Sequence, residues 1–440
     1  MDIFTTDARP FPEYLYGRED EIKRLISLVN TEDFHIALIG GMRRTGKTSL
    51  LLSLLKIFTH SKYKEEYNIN DAYFPLYIEM DAVKSLEDFN SKLYNRILSN
   101  HTWRLIQNTK VEKKVKNVIN CFKEKYETFK GYNLSIPSVI GIGEQKGYQD
   151  PYASSISRIL ESLSSCLYDE KVKFGLVVID EFQKILDWKD EEQQTFIEIL
   201  KEIYDVYHNL KVFITGSVIS STEKLFSTEY DKPMHGRRID KIYLMPISVE
   251  ASKKMLEDGF REHNINDELA VTSGVTIGMG IPGLLTYYGK FLVNYYSKEN
   301  PEKAIEDASR DAYIQLGKEV EEEITHLKKI KDDSRYLEAS KIIVREGGKI
   351  IPSKLAEFLK ISVNSAEIIL NKLTEIGFIN KKNNEYEVVD NTLITLLYNE
   401  VSFKWDLCPI CNKGKSLIQP FVNTVLYSCG HVVAVRKIFP

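Results

Sequence analysis

No apolar run in the chain approaches the ~20 residues needed to cross a bilayer, so nothing in it reads as a membrane span. The opening stretch, Met1-Asp2-Ile3-Phe4-Thr5, lacks the basic-then-apolar layout of a secretory signal. Cysteine is scarce. There are five, three of them crowded into residues 408–440, a distribution unlike a disulfide framework. Cys121 and Cys166 read as plain core residues. Neither sign of charge dominates, for the formal net charge is only -4; the molecule is no polycation, and any nucleic-acid contact must come from local patches. A cytoplasmic globular chain with no membrane partner is the simplest expectation. At 440 residues, 43% hydrophobic and 28% charged, it is long enough for two to four domains. Its richness in Lys, Glu, Ile and Tyr is compatible with a heat-adapted host.

What is present is chemically pointed. Gly41-Met42-Arg43-Arg44-Thr45-Gly46-Lys47-Thr48 fits Gly-x4-Gly-Lys-Thr, preceded by the strand-like run 34–39 and followed by the helix-like run from Ser49 to Leu55. Glycine tolerates the backbone angles that turn successive N–H groups inward, and a helix N-terminus adds positive potential for phosphates. ATP or ADP is therefore expected on residues 41–49. Lys47 would reach the β- and γ-phosphates, and the Thr48 hydroxyl would ligate Mg²⁺. No Asn-Lys-x-Asp guanine-reading motif appears, which favours adenine.

Further strands are expected at 76–80, 174–179 and 211–215, alternating with helices, as in a parallel α/β sheet. Residues 84–130 have helical spacing, and 135–143 look like a loop or hairpin insertion. The 174–179 strand ends in Asp180-Glu181-Phe182-Gln183, and is expected beside the P-loop strand. Asp180 fits a Mg²⁺ ligand, and Glu181 is placed to polarise the water that attacks the γ-phosphate. Two acids opening a helix would be the plainer alternative. Thr215 and Ser217 offer hydroxyls for sensing the γ-phosphate; ordinary Gly-Ser turn chemistry is the other possibility.

Together these pieces resemble the archaeal-type STAND ATPases, a branch of AAA+-related P-loop proteins. The likeness lies in Arg43-Arg44 within the P-loop, Ile179-Asp180-Glu181-Phe182-Gln183, Thr215-Gly216-Ser217 and Gly236-Arg237-Arg238. It continues through Ile242-Tyr243-Leu244-Met245-Pro246-Ile247-Ser248 and Gly280-Ile281-Pro282, covering roughly residues 14–300. The resemblance implies an ATP-hydrolysing switch of slow turnover, with Tyr16–Glu19 and Pro282 near the adenine. It makes Arg237 or Arg238 the candidate for an arginine finger or γ-phosphate sensor; a solvated or salt-bridged pair is the alternative.

The organisation expected is a P-loop ATPase core at 1–248, a helical lid and linker helix at 249–334, a winged helix-turn-helix at 335–400 and a zinc-ribbon-like module at 401–440. Ser362 looks like an N-cap for the third helix of the winged helix, and Lys381–Asn384 like its wing tip. Such a module suits double-stranded DNA. Yet residues 335–400 hold nine Lys/Arg against nine Asp/Glu, a net of zero, and a protein partner or a homo-oligomer is the rival. Cys408, Cys411, Cys429 and His431 have the spacing of a tetrahedral structural Zn²⁺ site.

Overall fold

A parallel sheet covered on both faces hides nearly every residue, so its strands read as continuous apolar runs. β1 (Ile36–Gly41) and β4 (Leu210–Thr215) are buried at every position; β2 (Tyr73–Glu79) and β3 (Phe174–Asp180) each relax burial at one end. β5 (Asp240–Leu244) alternates between exposed and buried in its second half, as an edge strand does. The five strands form one parallel sheet in the order β2-β3-β4-β1-β5. The computed structural model describes residues 2–41, 44–99, 101–107, 112–130, 150–216, 226, 233–312, 314–315, 335–346, 348–375 and 379–388, with the strands 416–421, 424–427 and 432–434.

The strand order corrects one expectation. β3 does not lie beside the P-loop strand β1, because β4 inserts between them. Ile39 of β1 pairs with Thr215, and Ile179 of β3 pairs with Ile214. Strands consecutive in a chain need not be neighbours when helical crossovers carry the chain over the sheet. The tip of β4, Thr215, therefore stands between the ends of β1 and β3.

α1 (Glu19–Asn30) opens with Glu19, Asp20 and Glu21, which suit the positive end of a helix dipole, and it buries Ile22, Leu25 and Val29. α2 (Lys47–Thr59) hides Leu50, Leu51, Leu52, Leu54, Leu55, Ile57 and Phe58. A helix apolar all round belongs in the middle of a domain, and each such side chain contributes about 1.5–3 kcal/mol by leaving water. α3 (Ser61–Glu66), α4 (Leu86–Leu98), α5 (His101–Leu105), α6 (Lys113–Lys130), α7 (Pro151–Asp169) and α8 (Asp190–Val206) complete the α/β layers. Asp150 caps α7 by accepting from the amides of Tyr152 and Ala153, with Pro151 at the first helical position.

Cys121 on α6 and Cys166 on α7 are joined in a disulfide, with their Cα atoms 5.8 Å apart. This overturns the expectation of two plain core cysteines; a separation of 45 residues hides from sequence the packing of α6 against α7 that brings them together. Such bonds occur in oxidising compartments and also inside hyperthermophiles, so the bond does not by itself decide the compartment. Closing a loop of this length stabilises by about 4 kcal/mol in the chain-entropy picture. Adding reductant should accordingly lower the melting temperature of the parent but not of Cys121→Ser; two free thiols in unreduced protein, counted by mass spectrometry, would contradict the pairing.

Beyond β5, Ser248 caps α9 (Val249–Glu262) and Asp267 caps α10 (Glu268–Gly278); α11 (Pro282–Tyr296) and α12 (301–312) follow. Leu256, Phe260, Leu284 and Tyr288 form the interior of this helical unit, which runs on without a break into the next. That unit is α13 (Arg335–Arg345), β6 (Lys349–Ile350), α14 (Pro352–Leu359), α15 (Val363–Glu375), β7 (Ile379–Lys382) and β8 (Glu385–Val388), its sheet antiparallel in the order β6-β8-β7. The Ser362 hydroxyl accepts from the Ser365 amide at 3.1 Å, and Asn383 turns the β7–β8 hairpin with φ 57°. β9 (Ser416–Phe421), β10 (Thr424–Tyr427) and β11 (Val432–Ala434) form a last antiparallel sheet. The expected zinc ligands Cys408, Cys411, Cys429 and His431 lie outside the described residues, as do the 135–143 insertion, Ser217 and residues 319–334 of the linker helix. Among the described residues no helix is long and apolar enough to cross a membrane.

Candidate nucleotide site

β1 delivers the chain to the top of the sheet, and α2 leaves from there with Lys47 as its first residue. Between them Arg44 has φ 64° and Gly46 has φ 91°. A Cβ on Gly46 would meet nothing within 4 Å, so backbone angle rather than crowding asks for glycine there. Arg44 adopts the left-handed region despite its side chain, a strain of about 1 kcal/mol that tends to persist where geometry serves a ligand. Met42 and Arg43 lie outside the described residues. The buried Lys47 ammonium donates to the Gly41 carbonyl at 3.0 Å. Arg18, 4% exposed, braces the loop, donating to the carbonyls of Thr45 at 3.1 Å and Met245 at 2.7 Å while pairing with Glu21.

The Thr48 hydroxyl donates to Asp180 Oδ2 at 2.8 Å, which joins the P-loop helix to the tip of β3. Tyr77, on β2, donates to the same oxygen at 2.6 Å. On the other side, Asp180 Oδ1 accepts from the Thr215 hydroxyl and from the Glu181 amide, which also donates to Thr215 Oγ1 at 3.0 Å. Burial, and then Asp180, keep the Tyr77 phenol protonated well above the ordinary tyrosine range. A carboxylate with a hydroxyl beside it is the kind of hard oxygen set that Mg²⁺ takes. Thr48 and Asp180 are the residues that would hold it.

Glu181 follows with φ 57°, a second left-handed side-chain-bearing residue, and its carboxylate accepts from Gln183 Nε2. Burial raises its pKa above the usual carboxylate range and the Asp180 charge raises it further, while Lys47 opposes both. Glu181 faces a cavity of about 290 Å³ whose wall includes Arg44 through Ser49. The rest of the wall includes Pro282, Gly283, Thr286 and Tyr287 of α11, with Ile247 and Met255. The 44–49 loop and α11 touch directly. The Gly283 amide donates to the Arg44 carbonyl at 3.0 Å, and the Arg44 guanidinium lies 5.4 Å from the Tyr287 ring centre. A Cβ on Gly283 would come within 2.4 Å of Arg44 Cβ, so only glycine allows this approach.

Other candidates fall elsewhere. Thr215 is wholly buried, spends its hydroxyl on Asp180 and Glu181, and does not line the cavity. Arg237 makes a two-pronged pair with Asp205 at the end of α8, at 2.9 and 2.7 Å, and also donates to the His235 carbonyl. Arg238 pairs with Asp240 at 3.0 Å. Neither arginine lines the cavity. Pro282 and Tyr16 do line it, and the Tyr16 hydroxyl donates to Asp258 on α9 at 3.2 Å.

A family model for ATPase domains predominantly from Archaea matches residues 15–273, more than half of the sequence. The chain belongs to this family of ATPase domains. No curated protein matches the sequence. Among solved structures, this ATPase is similar to a Walker-type ATPase of Pyrococcus abyssi, at 20% identity and a TM-score of 0.62, over 90% of this chain and 99% of that one. It is also similar to the ORC2 protein of Aeropyrum pernix, solved in ADPNP–ADP complexes, at 16% identity and a TM-score of 0.53, over 90% of this chain and 96% of that one. Identities this low establish the fold alone: a parallel α/β sheet of the P-loop ATPase kind.

Two parts of the ATPase site escape sequence reading. One is Tyr77. The other is the N-terminal segment, whose residues Ile3 and Thr5 through Arg9 line the cavity. Its Arg9 amide donates to Ser49 on α2 at 3.1 Å, and its Ile3 amide donates to Glu262 on α9 at 3.1 Å. A short irregular stretch of mixed residues carries no periodic signal by which to place it.

Proposed function

We propose that the protein is a Mg²⁺-dependent ATP-hydrolysing switch of the STAND type, in which nucleotide state is passed through the lid to the C-terminal modules. The observation that carries this is the two-sided cavity: its P-loop wall would hold phosphates, and its other wall is the lid. A triphosphate there changes contacts at Arg44, Gly283 and Tyr287, so the ATP and ADP states differ in how firmly the lid is held. Because the lid interior continues into the 335–388 unit, such a difference has a packed route onward.

In this reading Lys47 and the amides of residues 44–48 bind the phosphates, and Glu181 orients the attacking water and accepts its proton. Mg²⁺, held by Thr48 and Asp180, would neutralise charge on the phosphates. Thr215 acts through Asp180 and Glu181 rather than on the nucleotide. Arg44 supplies the additional cation within the chain. The role left to Arg237 and Arg238 is contact with the nucleotide of a neighbouring copy.

The helix–strand–helix–helix–strand–strand order of residues 335–388 supports reading this unit as a winged helix, and duplex DNA is the partner such a module would suit, with α15 in the groove and the 383–384 turn over phosphate. A zinc-ribbon-like module at 401–440, holding Zn²⁺ through Cys408, Cys411, Cys429 and His431, would add a net charge of +4 to that surface, five Lys/Arg against one Asp. A protein partner is favoured by a different observation: Phe358, Val363 and Ile368, on or beside the helices that would face DNA, are 47%, 46% and 59% exposed.

Duplex binding measured across a salt series, with ADPNP and then ADP, separates the two. DNA contact requires affinity that falls steeply with salt and differs between nucleotides, and that weakens once Zn²⁺ is chelated. No duplex affinity even at low salt would leave the protein partner.

A further inference from the structure

Resting on the Mg²⁺-dependent ATPase reading above, we propose that Tyr77 is a positioning residue, fixing the Asp180 carboxylate in the orientation that receives the nucleotide's divalent cation. The register makes this contact possible. In the parallel β2–β3 pair, Tyr77 sits opposite Val178 and Glu79 sits opposite Asp180. Alternation puts Tyr77 and Asp180 on the same face, about 6.6 Å apart along the strands, a distance the phenol spans. Glu79, the direct neighbour, is exposed and does not supply the contact.

The ring alone would satisfy the core, since Tyr77 is 4% exposed and a phenylalanine would pack equally well. The hydroxyl adds something packing does not need, for it donates to Asp180 Oδ2 at 2.6 Å. Asp180 is itself 2% exposed, and each of its oxygens accepts two donors. On Oδ2 those donors are Tyr77 and Thr48, and Thr48 is the residue expected to share the cation. Tyr77 is thus the support on that oxygen which does not belong to the nucleotide loop. Loss of a group that orients a metal-binding carboxylate typically weakens metal affinity by about 10–100-fold.

The test compares Tyr77→Phe with the parent, using Mn²⁺ as the probe. Free Mn²⁺ is followed by paramagnetic resonance in the presence of ADPNP, and ADPNP binding is measured separately in chelator. The expected result is Mn²⁺ affinity at least about 10-fold weaker, unchanged ADPNP affinity without metal, and a melting temperature close to the parent's. Equal Mn²⁺ affinity in the two proteins overturns the proposal while leaving the ATPase reading intact. A variant that fails to fold also overturns it, for the hydroxyl would then serve folding rather than orientation. If the parent itself binds no ADPNP, with Mn²⁺ or in chelator, the ATPase reading falls and the proposal with it.

Discussion

Glu181→Gln should slow ATP hydrolysis by about 100- to 10,000-fold while leaving ATP affinity within a few fold of the parent. The amide keeps the shape of the carboxylate and its contact with the Gln183 side chain, so the cavity should stay intact. What it loses is the ability to take a proton. Glu181 is half-buried at the cavity wall, and desolvation first and the Asp180 charge second raise its pKa, the direction that makes a carboxylate a better proton acceptor. Its left-handed backbone points the same way, since that strain would relax if the residue only opened a helix turn. Phosphate release under single-turnover conditions is the measurement. Equal rates in the two proteins would remove the catalytic assignment and leave a nucleotide-binding scaffold.

Lys47→Ala should weaken ATP binding by about 100-fold or more, read by calorimetry. Lys47 is buried at the start of α2, and its ammonium rests on the Gly41 carbonyl, the mouth of the loop that phosphates would enter. A buried cation that loses its anionic partner, or the reverse, carries a penalty of several kcal/mol. Truncation also strips the Gly41 carbonyl of a donor, so a parallel melting curve is needed to show that the variant is folded. Unchanged affinity in a folded variant would count against the phosphate role of the loop.

The parts legible in sequence are those where chemistry is local. Gly-x4-Gly-Lys-Thr between an apolar strand and an apolar helix can be placed because backbone angle, helix dipole and lysine reach are all set within a few residues. Asp180 and Glu181 follow a run whose continuous apolarity marks a central strand. What escapes are contacts set by the sheet and by packing. The strand β4 inserts between β1 and β3, so Thr215 meets Asp180 rather than the cavity. Tyr77 reaches Asp180 across 103 positions, through a register that no single strand encodes. Arg237 looks like a sensor because its sequence neighbourhood matches the family, yet Asp205, 32 residues earlier, holds it in a two-pronged pair. Cys121 and Cys166 form a disulfide for the same reason: α6 packs on α7.

One shared pocket for phosphates and cation, with α11 as its second wall, underlies every step proposed for this protein. A crystal structure with ADPNP and Mg²⁺ tests that most directly. The expected density has the β- and γ-phosphates on the amides of residues 44–48 and Lys47, a metal ion at Thr48 and Asp180, and Pro282 beside the base. Nucleotide bound elsewhere, or this pocket unchanged at saturating ADPNP, would contradict it.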